Sequence, residues 1–569
     1  MSSVSSATST LSTSSSSTSS TSSTTTSGTK TTSSVDWTAL IKSQVDAKEA
    51  RATTIQTKIT NNQAKISAYQ SLQSTLSTLS TAASSLSNSI QNSLSSSVFA
   101  TRSATISSTG DVSASSALSM SVANGAATGD HTLQIEQIAT AQKVIGSSVS
   151  DQTASLGYTG TFSIGLTGGS SADISITSSM TLQDVADAIN NQTSTTNVQA
   201  SIIQLSSNKF EMVLSGTKDA VDIQTSSVSG DDVLNKLGIT DSSGQFTDVL
   251  QTSQAAKLKL DGIELTRDTN DITDVLSGVT FNLLQSTTAG ASLNISIGTD
   301  TSQIQTALQT FVTDYNALRD AVSSQQQTNS DGTASSSSAL FGDATMRDIM
   351  TRSEQALNSS IGGMSLSSLG LSFNTKNELE LDTSQLSTTL SSNLDGAISL
   401  LAARTKTSSS DLSVINTGSS VPASFKLDLS VDSSGNLTSA AVGGDSSLFT
   451  ISGHTIVGNS GTAYAGMAFT YSGSTSKSVT ITSTSGIAAQ IYNIAKTNSN
   501  TSSGSLQNLI DDLTTQDDTM QKQVDDIMSK ASAYQTALKN QYAKYQSAIE
   551  TANSTLDYLS ALLNTSTSN

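Results

Sequence analysis

Apolar residues recur in steps of three and four at both ends of the chain, and in steps of two through much of the middle. From about 35 to 90 the stripe runs through Ile55, Ile59, Ile66 and Tyr69, then shifts register to Leu72, Leu76, Leu79, Ala83, Leu86 and Ile90. From about 506 to 563 it runs through Ile510, Leu513, Met520, Val524, Ile527, Ala531, Tyr534, Leu538, Tyr545, Ile549, Ala552, Leu556, Leu559 and Leu563. Such spacing draws one apolar face along a helix. Two terminal helices of matched length are predicted, each ~80–90 Å long at the α-helical rise. Asp517 falls on the second stripe and predicts a break there. Ala, Ser and Asn62 dilute the N-terminal seam, which suits a helix that folds fully only when it meets partners.

Between the helices the period changes to two. Residues 131–138, 162–164 and 174–176 alternate apolar and polar, as half-buried strands do. Residues 180–189 read as a short amphipathic helix, with Thr181 as N-cap and Asp184 three residues on. Residues 198–203 and 210–214 return to strand, completing a small α+β module. Two strands at 258–260 and 263–265 flank Asp261-Gly262, a two-residue hairpin turn.

A third helix carries Ile304, Leu308, Phe311, Tyr315, Leu318 and Val322, the most regular heptad in the chain. A Ser-rich loop near 328–338 and a further helix ending near Leu357 follow it. Over about 411–485, strands at 425–427, 449–451, 469–471 and 479–481 are punctuated by Gly435, Gly453, Gly458, Gly461 and Gly473, which predicts a separate β module.

Composition narrows the class. In 569 residues only 35% are hydrophobic and 4% aromatic, so several small cores or elongated modules are expected rather than one large core. The single proline, Pro422, leaves the long helices uninterrupted. The absence of cysteine excludes disulfides, thiolate catalysis and Cys-ligated metals. A net charge of −18, with no Lys/Arg cluster, argues against nucleic acid and anionic membranes as partners. No apolar run approaches the ~20 residues of a membrane span. Residues 1–34 are almost all Ser and Thr and lack the basic start and apolar middle of a cleaved signal. They bury almost nothing and are expected to be disordered.

Candidate chemistry is sparse. The only histidines, His131 and His454, each sit inside a strand pattern, where a surface or edge position is the better reading than a ligand or base. The carboxylate pairs 511–512 and 525–526 read as a solvated helix face. Gly168-Gly169 and Gly443-Gly444 lack the lysine context of a phosphate loop, and Asp331-Gly332 reads as a loop turn. No catalytic residue, cofactor or metal site is expected.

Several stretches, in order, resemble the flagellar filament cap (hook-associated protein 2, FliD) family. Residues 35–45 and 66–72 look like its N-terminal signature, and 126–142 its first strand motif. Residues 257–267 and 272–280, then 311–318 and 340–343, then 366–370 and 379–382, are similar to later motifs. Residues 180–190 and 456–486 look like small modules shared with flagellins. The resemblance covers nearly everything after residue 34; the Ser/Thr leader is longer than the family pattern.

The resemblance implies an α+β multidomain protein in which long paired, coiled-coil-like terminal helices flank strand-rich α+β and β modules. The expected divisions are a 1–34 leader, a 35–100 leg helix, 101–300 head or plate modules, a 301–410 helical leg region, a 411–490 inserted β module and a 500–569 leg helix. It implies a non-enzymatic cap at the distal tip of the bacterial flagellum, secreted without a cleaved signal peptide. Expected partners are further copies in a ring-like homo-oligomer, flagellin, a hook-associated junction protein and an export chaperone. The oligomer and filament interface would be Ile55, Ile59, Ile66, Tyr69 and Leu76, with Phe311, Tyr315 and Leu318, and with Val524, Ile527, Tyr534, Leu538, Tyr545, Leu556 and Leu559. The alternatives are a flagellin, a hook–filament junction protein, or a Ser/Thr-rich adhesin.

Overall fold

In the computed structural model, residues 36–88, 97–418 and 421–566 are described. The 1–34 leader, Val35 and Ile90, and the side chain of Leu563 lie outside that description. The two terminal stripes fold as single helices, Trp37–Ser87 of 51 residues and Ser505–Ser566 of 62. They are therefore unequal, and the C-terminal one is the longer. It does not break at Asp517. The Asn62 side-chain amide donates to the Asp517 carboxylate at 2.9 Å, so the buried acid is satisfied without interrupting the helix.

The chain divides into two compact units, residues 1–62 with 514–569 and residues 63–513. The first holds the outer stretches of the two long helices, paired antiparallel. The second holds the rest of the described residues, which gather around four apolar cores.

The helical core collects Tyr69, Leu72, Leu76 and Leu79 with the helices Thr301–Ser324, Ala344–Leu357, Thr383–Ser392, Leu394–Leu401 and Ile487–Ser499. The regular heptad predicts its own burial: Ile304, Leu308, Phe311, Tyr315, Leu318 and Val322 all face inward. Asp300 caps this helix by accepting from the amides of Ser302 and Gln303.

Two strand-rich blocks are inserted into that helical body, each hung on an antiparallel pair. Strand Arg102–Ser108 pairs with Leu293–Thr299, and Arg404–Thr407 pairs with Lys477–Thr484. Entry and exit lie side by side, so a large insertion leaves the surrounding core intact.

The first block contains a five-stranded sheet, in the order 102–108, 293–299, 129–137, 256–260, 263–267, over a core of Leu133, Ile135, Leu258, Phe281 and Ile295. Its hairpin at Asp261-Gly262 has both residues at positive φ, 48° and 83°, the requirement of the tight turn that Asp-Gly fulfils. A second module joins a four-stranded sheet (249–251, 143–145, 209–216, 198–206) and a three-stranded sheet (171–176, 160–166, 223–230) to helix Leu182–Asn190. Thr181 and Asp184 form a full capping box on that helix.

The second block has two four-stranded antiparallel sheets around Leu427, Phe469, Tyr471, Val479 and Ile481. His454 is not inside a strand; with Gly453 it forms the turn between Phe449–Ser452 and Thr455–Gly458, because Gly453 supplies the positive φ of 58°. Gly458 ends a strand rather than making a turn, and a Cβ there would collide with the Tyr464 carbonyl.

Candidate assembly interface

In the first unit the helix pair is held by two small apolar clusters. One joins Ile41 and Val45 to Ala531 and Leu538, with Tyr534 and Tyr542 against it. The other joins Ala52, Ile55 and Ile59 to Val524, with Met520 and Ile527 against it. Small residues such as Ala531, fully buried, let the two backbones approach.

Polar contacts fix the register along this seam. Trp37 stacks on Tyr542 with ring centroids 4.8 Å apart. The Tyr534 hydroxyl donates to the Gln44 side-chain Oε1 at 3.0 Å, and the Gln44 side-chain Nε2 donates to the Tyr542 hydroxyl at 3.2 Å. Lys48 lies 4.6 Å over the Tyr534 ring. The apolar spacing did not reveal these contacts: Gln44 stands outside the apolar stripe, and Asn62 reads only as a residue that weakens the seam. Their signal was the aromatic residue or acid at the facing position.

The candidate residues separate by environment. Ile55, Ile59, Val524 and Leu538 are buried within the helix pair, and Ile527 and Tyr534 line it. Tyr69, Leu76, Phe311, Tyr315 and Leu318 are buried in the helical core of the second unit, with Ile66 packed against it. Those side chains are occupied by the chain's own packing. Burial pushes the pKa of the Tyr315 hydroxyl up. The Tyr69 hydroxyl donates to Asp343 at 2.6 Å, and burial first, then this carboxylate, raises its pKa.

Tyr545, Leu556 and Leu559 are exposed, together with Ile549. They lie C-terminal to Tyr542, the residue that meets Trp37 at the first turn of the N-terminal helix. Among the described residues, no group of three or more His, Asp or Glu is placed to hold a metal ion. No described helix is long and apolar enough to cross a membrane.

Comparison with known proteins identifies the architecture. The family model for the C-terminus of flagellar hook-associated protein 2 matches residues 253–554, and that for its N-terminus matches 33–142. The flagellin hook IN motif matches 161–218, around the capped helix. The other flagellin-like stretch, 456–486, falls within the C-terminal match instead.

Flagellar hook-associated protein 2 of Escherichia coli K12 is 27% identical over 386 residues, covering 65% of this chain and 78% of that protein. The B-type protein of Pseudomonas aeruginosa is 26% identical over 305 residues, covering 50% and 64%. A crystal structure of the E. coli flagellar cap protein FliD, domains D1-D2-D3, aligns with a TM-score of 0.43 at 27% identity, covering 59% of this chain and 90% of that one. With the C-terminal model alone spanning more than half of its length, the chain belongs to the flagellar hook-associated protein 2 family.

Proposed function

We infer that this protein is a structural assembly factor that caps the distal tip of the bacterial flagellar filament and promotes flagellin folding and insertion beneath it. The observation that carries the reading is the pair of family matches at both ends of the chain, 33–142 and 253–554. The relatives bear the names hook-associated protein 2 and flagellar cap protein.

In this reading function resides in surfaces rather than in an active site. The paired terminal helices, with helix Thr301–Ser324 and its neighbours, form the legs. The block at 101–300 forms the plate. The partners are further copies of the chain in a ring, flagellin, the hook–filament junction protein and an export chaperone. The protein acts outside the cell, after export without a cleaved signal peptide.

A strain deleted for this gene tests the reading. Abundant flagellin monomer in the medium, with hooks but no filaments by electron microscopy, is expected. Normal filaments and motility would overturn it.

A further inference from the structure

A cavity of about 410 Å³ opens at one end of the five-stranded sheet, beside the loop that leads into strand Val279–Leu283. Ala126, Val279 and Ile297, all buried, form its inner wall. Asn124, Ala127 and Ser277, all exposed, form its mouth. The cavity is fixed in shape by the backbone around it. The Ala123 amide donates to the Gly278 carbonyl and the Gly125 amide to the Ala100 carbonyl, both at 2.7 Å. The Ala126 carbonyl accepts from Arg102 Nε at 2.8 Å. A hollow of this size, apolar within and already held open, admits a small ring without reorganising.

His131 gives the cavity chemical direction. It lines the wall, with 21% of its side chain exposed. Its Nδ1 lies 2.8 Å from one oxygen of Asp261, whose other oxygen accepts the Thr132 amide. Asp261 lines a separate hollow, with Thr105 and Ser107. The opposite edge of the ring is turned to the cavity. A Cβ built on Gly129 would lie 3.7 Å from Nε2, and Gly129 stands opposite Ile297 of the inner wall. Nε2 meets no hydrogen-bond partner among the described residues. With Nδ1–H held by the carboxylate, the neutral ring offers Nε2 as an acceptor.

We propose that this cavity is a binding site for a small uncharged ring carrying one hydroxyl, the class of which phenol is the simplest member. The ring lies against Ala126, Val279 and Ile297, and its hydroxyl donates to His131 Nε2. A carboxylate is rejected because it brings only acceptors to an acceptor. A sugar is rejected because its further hydroxyls would be stranded against the inner wall. Asp261 is a positioning residue here: it touches no ligand and fixes the tautomer that leaves Nε2 free to accept.

The chain has two histidines, so protein labelled at the histidine ring nitrogens gives the signals of His131 and His454 alone. His454, exposed at a turn of the other strand-rich block, is a built-in control. Phenol titrated into the full-length protein is expected to move the His131 Nε2 resonance until it saturates, and to leave His454 in place. Anisole keeps the ring and the oxygen but has no donor, and should bind about two- to tenfold more weakly, the worth of one hydrogen bond. Ala127→Trp fills the mouth from an exposed position and should abolish the response to both, while the Nδ1 signal of His131 stays where Asp261 holds it. His131→Phe keeps a ring in the wall and should bind phenol and anisole alike in equilibrium dialysis. A response to phenol that never saturates would overturn the proposal, as would equal affinity for phenol and anisole in the wild-type protein, or binding that survives Ala127→Trp. None of this depends on the cap reading: a deletion strain with normal filaments would leave the site standing.

Discussion

Tyr69 donates its hydroxyl to one oxygen of Asp343 at 2.6 Å, while the other oxygen accepts the Met346 amide at 2.8 Å and caps helix Ala344–Leu357. One carboxylate thus ties the N-terminal helix to the start of a helix far along the sequence. Asp343→Ala removes both bonds and is expected to cost about 2 kcal/mol, the sum of a cap and a hydrogen bond. Tyr69→Phe, which loses one bond and leaves the cap, should cost about 1 kcal/mol. Urea unfolding followed by circular dichroism measures both. A larger loss from Tyr69→Phe than from Asp343→Ala would contradict this division.

The same hydroxyl gives a pH prediction at the alkaline end. Burial, then Asp343, raises the folded-state pKa of Tyr69 above the ordinary tyrosine value. A group raised on folding contributes stability that is complete below its unfolded pKa, near 10, and is lost as pH rises beyond it. The wild-type protein should therefore lose stability above about pH 10 more steeply than Tyr69→Phe. Parallel alkaline unfolding curves for the two proteins would refute the assignment.

Asn62 and Asp517 form a polar layer inside an otherwise apolar helix seam, 2.9 Å apart. Asn62→Leu strands a buried carboxylate and is expected to destabilise the pair by about 1–3 kcal/mol. The double variant with Asp517→Leu should recover that loss or exceed wild-type stability, since a matched apolar pair often does. What it should lose is a single register, because a buried polar pair disfavours slipped alignments. A double-mutant cycle by urea unfolding checks the first statement. Cysteine cross-linking of 44 to 534 against positions one helical turn away checks the second.

The local order of this fold was legible wherever a period or a short spacing alone decides it. The 304–322 heptad, the Thr181–Asp184 capping box and the Asp261-Gly262 turn each rest on residues within one or two turns of each other, and the structure has all three. Contacts between distant positions were not legible. Nothing in the sequence near Tyr69 points to Asp343, and nothing near Asp517 points to Asn62, so the acid read as a break instead of a satisfied layer. His454 read as strand because its neighbours alternate, while the turn came from the freedom of Gly453. Periodicity also could not separate side chains used up in a protomer's core, such as Phe311, from those left outside, such as Leu556.

At the acidic end, Asp261 is the group to follow. Its carboxylate accepts from His131 at 2.8 Å and from the Thr132 amide at 2.8 Å, and these bonds, His131 first, hold its pKa below the usual carboxylate range. A depressed carboxylate contributes stability that is present above its unfolded pKa, near 4, and is lost as pH falls through the lower folded value. Asp261→Asn tolerates the left-handed turn position but removes the charge. The acid-side loss of protection at the 256–267 hairpin should then disappear, as read by hydrogen exchange between pH 5 and 2.5. An unchanged acid dependence would mean the pair contributes nothing there.

Leu538 and Leu556 belong to one periodic stripe but occupy opposite environments, 5% and 56% exposed. Leu538→Asp buries a charge in the helix pair and should cost about 3 kcal/mol or more, melting the pair while the strand-rich blocks stay folded. Leu556→Asp changes an exposed side chain and should shift stability by no more than about 0.5 kcal/mol. If the stripe beyond Tyr542 meets other proteins in an assembly, both variants fail to restore filaments to the deletion strain, the first through folding and the second through contact. Thermal melts separate the two routes. Full complementation by Leu556→Asp would remove the exposed stripe from the interface and leave the paired stretch, held by Trp37 on Tyr542, as the part of the leg that matters.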